Sequence, residues 1–214
     1  MNRSMPYPRV CAHRGLPVLF PENTIASFAA AIAAGAHEIE FDLRPRDGKL
    51  MISHDTPLDG QSCPALEEVL AAFGNRVIMN MHIKPPQAGG DYDRAVFQGI
   101  IDALGRFGCR ESVYFTGGAA VMEAALALAP DIERCCQAGN KDFTIVKNAL
   151  KYKAQKLQFF VPYFNQALVG EARRHGIRCN FYFADDPDDA RELLRTGIDT
   201  VLTNNCVQVL NALK

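Results

Sequence analysis

The feature that most constrains the fold of this chain is a regular alternation of short apolar runs with longer segments of helical spacing. The apolar runs are typical of buried strands, and the segments between them are rich in Ala, Leu and Glu. The predicted strands are Arg9–Ala12, Glu38–Leu43, Val77–Ile83, Val113–Thr116, Ile132–Cys136, Leu157–Val161, Arg178–Phe183 and Thr200–Thr203. The predicted helices are Thr24–Ala34, Ala65–Phe73, Ala95–Arg106, Ala119–Ala129, Phe143–Tyr152, Gln166–His175, Pro187–Arg195 and Cys206–Leu213.

This order of elements predicts an α/β fold with parallel strands, because helices between successive strands cover both faces of a sheet. Eight repeats of the unit is the number that closes a (β/α)8 TIM barrel. An open doubly wound sheet is the alternative that the same alternation allows.

One segment interrupts the alternation. Lys49–Ser53 reads as an additional strand after the turn signal Asp47-Gly48, and we interpret it as a hairpin strand added after the second barrel strand. No linker or low-complexity tract divides the chain. Residues 1–214 are therefore predicted to form one domain.

Composition excludes several classes of function. A net charge of −1 without runs of like charge argues against a nucleic-acid-binding surface. No stretch has the roughly 18 apolar residues that a transmembrane helix requires, and the start MNRSMPYPRV lacks the apolar region of a signal peptide. The 7 cysteines are odd in number and contain no CxxC pair. They are predicted to be mostly small buried residues of a protein in a reducing, cytoplasmic compartment.

Polar residues at the strand ends carry the functional prediction, because the carboxyl ends of barrel strands hold the active site. The first strand runs into His13 and Arg14. Arginine suits bidentate contact with phosphate, and histidine suits proton transfer near neutral pH. A loop histidine beside a surface arginine is the alternative interpretation.

The second strand places three acids on one face. Side chains alternate along a strand, so Glu38, Glu40 and Asp42 share a face that is predicted to point into the barrel. Burying several like charges is unfavourable unless a cation is present. Glu40 and Asp42, nearest the carboxyl end, would suit a hard divalent ion such as Mg²⁺ or Ca²⁺. An edge strand with a solvated acidic face is the alternative.

Two further segments bring candidates to the same end. The hairpin ends in His54, so two histidines could act as base and acid around one phosphate, unless His54 is a plain turn residue. On the third strand Asn80, His82 and Lys84 share one face. Lys84 could neutralise a phosphate oxygen, and His82 could be a metal ligand or a hydrogen-bonded core histidine.

Together these motifs resemble those of the glycerophosphodiester phosphodiesterase family. The resemblance is strong up to Lys84 and again near the end of the chain. It rests on His13-Arg14-Gly15, Pro21-Glu22-Asn23-Thr24, Glu40-Phe41-Asp42, Asp47-Gly48, His54-Asp55, Asn80-Met81-His82-Ile83-Lys84 and Gly197-Ile198-Asp199-Thr200-Val201-Leu202-Thr203.

The resemblance implies metal-dependent hydrolysis of a small glycerophosphodiester-like substrate in lipid metabolism. It implies that Asn23 caps the helix that follows. The implied catalytic residues are His13 and His54, the implied metal ligands are Glu40, Asp42 and His82, and the implied phosphate or substrate contacts are Arg14, Glu22, Lys84 and Tyr182.

Departures from the family pattern qualify what the resemblance implies. His82 stands where the family usually has a third metal-binding Glu, which favours Mn²⁺ or Zn²⁺ over Ca²⁺. The segment after Asp55 is too short for the usual cap insertion, which makes glycerol a less secure substrate. The remaining departures are Tyr182-Phe183 at the place of a common Trp-Thr pair and Asn204 at the place of a common Asp.

Three functions are consistent with these residues. The first is hydrolysis of a phosphodiester to an alcohol and a phosphomonoester. The second is a non-catalytic protein that binds a phosphate ligand on the same barrel. The third is a phospholipase or lyase that releases a cyclic phosphate.

Overall fold

The computed structural model describes residues 5–46, 48–56, 62–84 and 92–214. Asp47, half of the predicted turn signal, lies outside the described residues. The strands are β1 Arg9–His13, β2 Glu38–Arg46, β3 Lys49–Ile52, β4 Ile78–Ile83, β5 Val113–Gly117, β6 Glu133–Cys136, β7 Lys156–Phe160, β8 Arg178–Tyr182 and β9 Thr200–Thr203. The helices are α1 Ile25–Ala33, α2 Leu66–Phe73, α3 Arg94–Arg106, α4 Ala119–Leu128, α5 Ile145–Lys151, α6 Gln166–Arg174, α7 Pro187–Arg195 and α8 Cys206–Leu213.

Eight parallel strands close into a ring. The hydrogen-bonded order is β1-β9-β8-β7-β6-β5-β4-β2, and β1 pairs with β2 as well as with β9. In register, Cys11 stands opposite Glu38 on one side and Leu202 on the other. The predicted (β/α)8 barrel is confirmed, and the open doubly wound sheet is excluded, because an open sheet would leave β1 or β2 at an edge.

The ninth strand, β3, lies outside the ring. It pairs antiparallel with the end of β2, with Leu43 opposite Ile52. This confirms the predicted hairpin strand. The pairing also explains why β2 extends to Arg46, beyond the predicted end at Leu43, since its last residues have a hydrogen-bonding partner in β3.

Most of the apolar core lies between the ring and the helices. Val10, Ile39, Met81 and Phe159 point outward from their strands and are almost fully buried in this layer. Their inward-facing neighbours are largely polar, and a smaller apolar cluster of Ile78, Tyr114 and Cys135 forms separately. The alternation predicted for the strands therefore separates an apolar outer layer from a polar barrel interior.

Glu38 lies at the amino end of this interior and is compensated by protein groups. Its Oε1 accepts a hydrogen bond from Arg9 Nη1 at 3.0 Å, and its Oε2 accepts one from the Tyr114 hydroxyl at 2.7 Å. Lys156 Nζ lies 3.9 Å from Oε1. Of the three acids on the inward face of β2, Glu38 therefore belongs to a structural ion cluster.

The cysteines are mostly buried, as predicted. All seven lie in the described part of the chain with free thiols; six are buried and Cys63 is partly exposed. Within the described ranges, we find no helix that is long and apolar enough to traverse a bilayer.

Candidate active site

The carboxyl ends of β1, β2 and β4 bring the candidate residues together. Parallel pairing sets His13 opposite Glu40, and Asp42 opposite His82. Lys84 follows β4 directly. All of these side chains except the buried Asp42 border a cavity of about 90 Å³, which is lined by His13, Arg14, Glu40, His54, His82, Lys84, Gln158, Phe160, Tyr182 and Leu202.

Glu40, Asp42 and His82 form a compact cluster of potential ligands, with one donor atom from each within 4.8 Å of the others. His82 Nδ1 lies 3.5 Å from Glu40 Oε1 and 3.2 Å from Asp42 Oδ1. The Asp42 side chain is fully buried, and its Oδ1 accepts no hydrogen bond in the described structure. Two carboxylates and an imidazole nitrogen fit a divalent ion, and one of the carboxylate oxygens is buried with unused lone pairs.

Asp42 is also surrounded by positive and donor groups. Lys84 Nζ lies 2.7 Å from Oδ1 and Arg14 Nε lies 3.1 Å from Oδ2, although neither contact has hydrogen-bond geometry at the aspartate. Asn23 Nδ2 donates to Oδ2 at 2.9 Å. Burial opposes ionisation, but the contacts from His82 and Lys84 outweigh it and hold the pKa of Asp42 well below its usual value. Asp42 is therefore a carboxylate across the physiological pH range.

The pKa of His82 is shifted in the opposite direction. Burial favours the neutral imidazole, but the contacts with the carboxylates of Asp42 and then Glu40 outweigh it, so the pKa of His82 is raised from 6.5. Its ring also lies beside Lys84, whose Nζ is 3.3 Å from Nδ1. His82 therefore faces Glu40 and Asp42 with Nδ1, the nitrogen that would ligate an ion. The same contacts also fit the alternative of a hydrogen-bonded core histidine.

The turn after β1 places Arg14 at the rim. Its backbone N–H donates to Glu40 Oε2 at 3.0 Å, which fixes that carboxylate. Its Nη1 binds both oxygens of Glu22, at 3.0 and 2.9 Å. The turn is possible because Gly15 adopts φ +88°, and a Cβ there would lie 2.3 Å from Ser27 Oγ. Arg14 and Glu22 are thus adjacent, next to the cluster.

His13 is buried, and a contact with Asn204 orients its ring. Its Nδ1 lies 2.8 Å from Asn204 Oδ1. Its Nε2 faces the cluster at 3.9 Å from Glu40 Oε2. The Tyr182 ring packs against it with centroids 4.7 Å apart, and burial raises the pKa of Tyr182 so that its hydroxyl stays neutral.

His54 reaches the same cavity from the loop after β3. Its side chain is 37% exposed and its Nδ1 lies 3.0 Å from Asp55 Oδ1. Arg44 Nη2 donates to the His54 carbonyl at 2.7 Å and holds the loop. His54 also borders a second cavity of about 400 Å³ that is lined by Glu22 and Cys63, among others.

One predicted role is wrong, and some residues were missed. Thr24, rather than Asn23, caps α1 by accepting from the Ser27 N–H, while Asn23 binds Asp42. Asn23 has φ +57°, a turn conformation that asparagine tolerates and that the sequence pattern does not reveal. The missed residues are Arg44, Gln158, Phe160, Asp185 and Leu202. Of these, Gln158 could have been recognised from the sequence, because it is a lone amide within an apolar strand.

Comparison with known proteins points to one family. The Glycerophosphoryl diester phosphodiesterase family matches residues 13–62. A glycerophosphodiester phosphodiesterase of Arabidopsis thaliana is 25% identical, over 92% of this chain and 71% of that protein. One from Caldanaerobacter subterraneus is 24% identical, over 96% of this chain and 97% of that protein.

Solved structures agree on the fold. An Oleispira antarctica phosphodiesterase in complex with the product sn-glycerol-3-phosphate superposes with a TM-score of 0.83 at 20% identity, covering 97% of each chain. A glycerophosphodiester phosphodiesterase of Thermotoga maritima gives a TM-score of 0.77 at 21% identity, covering 96% of this chain and 97% of that one. The barrel is thus shared at low sequence identity.

Proposed function

We infer that this chain belongs to the glycerophosphodiester phosphodiesterase family, and we propose that it hydrolyses a small glycerophosphodiester-like phosphodiester to an alcohol and a phosphomonoester. The observation that carries the proposal is the single cavity that joins the Glu40–Asp42–His82 cluster to His13, His54 and Lys84. Acid–base groups, a cation site and an anion-binding lysine are the parts that such hydrolysis requires.

Glu40, Asp42 and His82 would hold a divalent ion. Two carboxylates favour Mg²⁺ or Ca²⁺, and the imidazole admits Mn²⁺ or Zn²⁺. A bound divalent ion would polarise the phosphoryl oxygens and offset their negative charge.

Protein groups would bind and orient the phosphodiester. Lys84 and Arg14 supply positive charge at two sides of the cavity, and Glu22 fixes the Arg14 guanidinium. Tyr182 presents a neutral hydroxyl and an aromatic face to the substrate. The buried lysine and the half-buried arginine thus hold the phosphate against the acid cluster.

The two histidines would move the protons. His13 Nε2 accepts a proton from the attacking water or from a neighbouring substrate hydroxyl as the new O–P bond forms. His54 donates a proton to the alcohol oxygen as the old P–O bond breaks. The exposure of His54 lets its proton be replenished from solvent.

A panel of phosphodiesters tests this function. Glycerophosphocholine, glycerophosphoethanolamine and lysophosphatidylcholine are incubated with the protein, with and without EDTA, and products are followed by phosphorus NMR. We expect a phosphomonoester that disappears with EDTA and returns with one divalent ion. Activity that is unchanged after exhaustive chelation would refute metal dependence, and a cyclic phosphate product would identify a lyase.

One observation favours the second candidate, a non-catalytic phosphate-binding protein. Lys84 Nζ lies 2.7 Å from the same Asp42 oxygen that an ion would take, and His82 Nδ1 lies 3.2 Å from it. Such a protein would bind phosphate esters without turnover. Binding of glycerol 3-phosphate by calorimetry, with no product from any diester, would favour it.

A further inference from the structure

His13 begins a chain of three hydrogen-bonded polar side chains. His13 Nδ1 contacts Asn204 Oδ1 at 2.8 Å, and Asn204 Nδ2 donates to Asp185 Oδ2 at 2.9 Å. Asp185 follows β8, Asn204 follows β9, and His13 ends β1, which are consecutive strands of the ring. The chain therefore crosses three neighbouring loops at the catalytic end of the barrel.

Asp185 is fixed by further bonds. Its Oδ1 accepts from the Asn204 backbone N–H at 2.6 Å and from Thr203 Oγ1 at 2.9 Å. The backbone N–H can only donate, so an acceptor oxygen of residue 185, here Oδ1, must face it. The other oxygen, Oδ2, is then directed at the Asn204 side chain.

The acceptor atoms of Asp185 determine which end of the Asn204 amide faces His13. A carboxylate only accepts, so Asn204 must present its NH₂ group to Asp185 and its carbonyl oxygen to His13. That oxygen also only accepts, so the proton of neutral His13 lies on Nδ1. The lone pair then lies on Nε2, which faces the acid cluster.

We propose that Asp185 is a positioning residue that, acting through the Asn204 amide, fixes His13 in its Nδ1–H tautomer and leaves Nε2 as the proton acceptor. The kinetic part of this proposal rests on the proposed hydrolase function, whereas the tautomer does not. Asp185 touches neither the cavity nor the acid cluster in the contacts of the described residues, so its effect on turnover passes through His13.

Asp185→Asn is expected to exchange the donor and acceptor roles of the Asn204 amide. The Asn204 backbone N–H keeps the new amide oxygen in place, so the new NH₂ group faces the NH₂ group of Asn204. The Asn204 amide is expected to turn and donate to His13 Nδ1, which moves the His13 proton to Nε2. We expect kcat to fall about 10²-fold, while KM changes less than about twofold.

The exchange of the two residues distinguishes positioning from simple structural support. Asn204→Asp alone sets two carboxylates against each other and should also lower kcat. In the double variant Asp185→Asn/Asn204→Asp, the new amide at 185 donates to the new carboxylate at 204, which again accepts from His13 Nδ1–H. We expect kcat to return to within about tenfold of wild type.

The tautomer itself is measured by nitrogen NMR on ¹⁵N-histidine-labelled protein with added Mg²⁺, and the His13 signals are assigned by their loss in His13→Gln. Wild type is expected to show a protonated Nδ1, and Asp185→Asn a protonated Nε2. Asp189→Asn, an exposed change of the same charge on α7, is the control and should alter neither tautomer nor kcat.

The outcomes separate the two proposals. A protonated Nε2 in the wild-type protein overturns the positioning proposal even if no variant folds. An Asp185→Asn variant with wild-type kcat and tautomer also overturns it. A wild-type protein that shows the Nδ1–H tautomer but hydrolyses no phosphodiester refutes the hydrolase function and supports the positioning alone.

Discussion

At the scale of single residues, Asp42 Oδ1 is the atom for which a bound metal ion would compete with Lys84 and His82. Lys84 Nζ and His82 Nδ1 lie 2.7 and 3.2 Å from it. An ion bound in the cluster would take the place of these contacts, so Lys84 would have to move toward the cavity. The moved lysine would then face the phosphate, so metal binding and phosphate binding are expected to reinforce each other.

His82→Glu tests the ligand role of this position. A third carboxylate adds a negative charge and an oxygen ligand, so Mg²⁺ or Ca²⁺ should bind about tenfold tighter by titration calorimetry. His175→Glu places the same change on an exposed residue and should leave the affinity unchanged. Equal affinities in wild type and His82→Glu would contradict the prediction.

His13→Ala and His54→Ala should each lower kcat by about 10² to 10⁴, the usual contribution of a general acid or base. Metal content, measured on the same preparations, is expected to equal that of wild type. The two-histidine mechanism is wrong if both variants keep full turnover.

The metal-free protein should show a His82-dependent change of stability with pH. The pKa of His82 is raised in the folded state. Its contribution is therefore fully present below the unfolded pKa and is lost as pH rises through the folded value. Urea unfolding should show that His82→Gln costs more stability at about pH 6 than at about pH 9. A cost that grows with pH would contradict this sign.

At the scale of elements, the turn between β1 and α1 depends on one glycine. Gly15 and Gly35 both have positive φ, but a Cβ at Gly15 would meet Ser27 Oγ at 2.3 Å, whereas at Gly35 no atom lies within 4 Å. This pair therefore separates the cost of the backbone conformation from the cost of close packing.

Gly15→Ala should lower the free energy of unfolding by about 2 to 5 kcal/mol, because strain and overpacking add. Gly35→Ala, its matched control, should cost about 1 kcal/mol from the backbone alone. Urea denaturation measures both. Equal losses would mean that the contact with Ser27 relaxes without cost.

The elements were predictable from the sequence because each strand and helix carries its own local pattern. The end of β2 was placed too early, since residues 44 to 46 are held by β3 rather than by an apolar pattern of their own. The cap of α1 was assigned to Asn23 instead of Thr24, because both residue types cap helices and only the backbone conformation decides between them.

At the scale of the whole molecule, closure of the ring creates contacts that no local pattern encodes. Glu38 meets Tyr114 across 76 positions of sequence, and Asn204 meets His13 across 191. The inward face of β2 was predictable from alternation, but the partners of each acid depend on the register of other strands. Position along β2 already separated Glu38 from Glu40 and Asp42, but the groups that compensate the charge of Glu38 could not be predicted.

Metal binding should stabilise the whole barrel, because its ligands come from neighbouring strands and exist together only in the folded state. At an ion concentration of about 100 times Kd, the free energy of unfolding should rise by about 2.7 kcal/mol. The urea midpoint of wild type should shift accordingly, and that of Asp42→Asn should not. An equal shift in both proteins would place the ion elsewhere.

The distribution of thiols makes this barrel convenient for spectroscopy. Six of the seven cysteines are buried, and the partly exposed one, Cys63, lines the cavity that also borders His54. A maleimide dye should therefore attach at a single place in the native protein without any engineered cysteine. Its emission would report the arrival of a substrate beside His54 in real time, in the wild-type sequence.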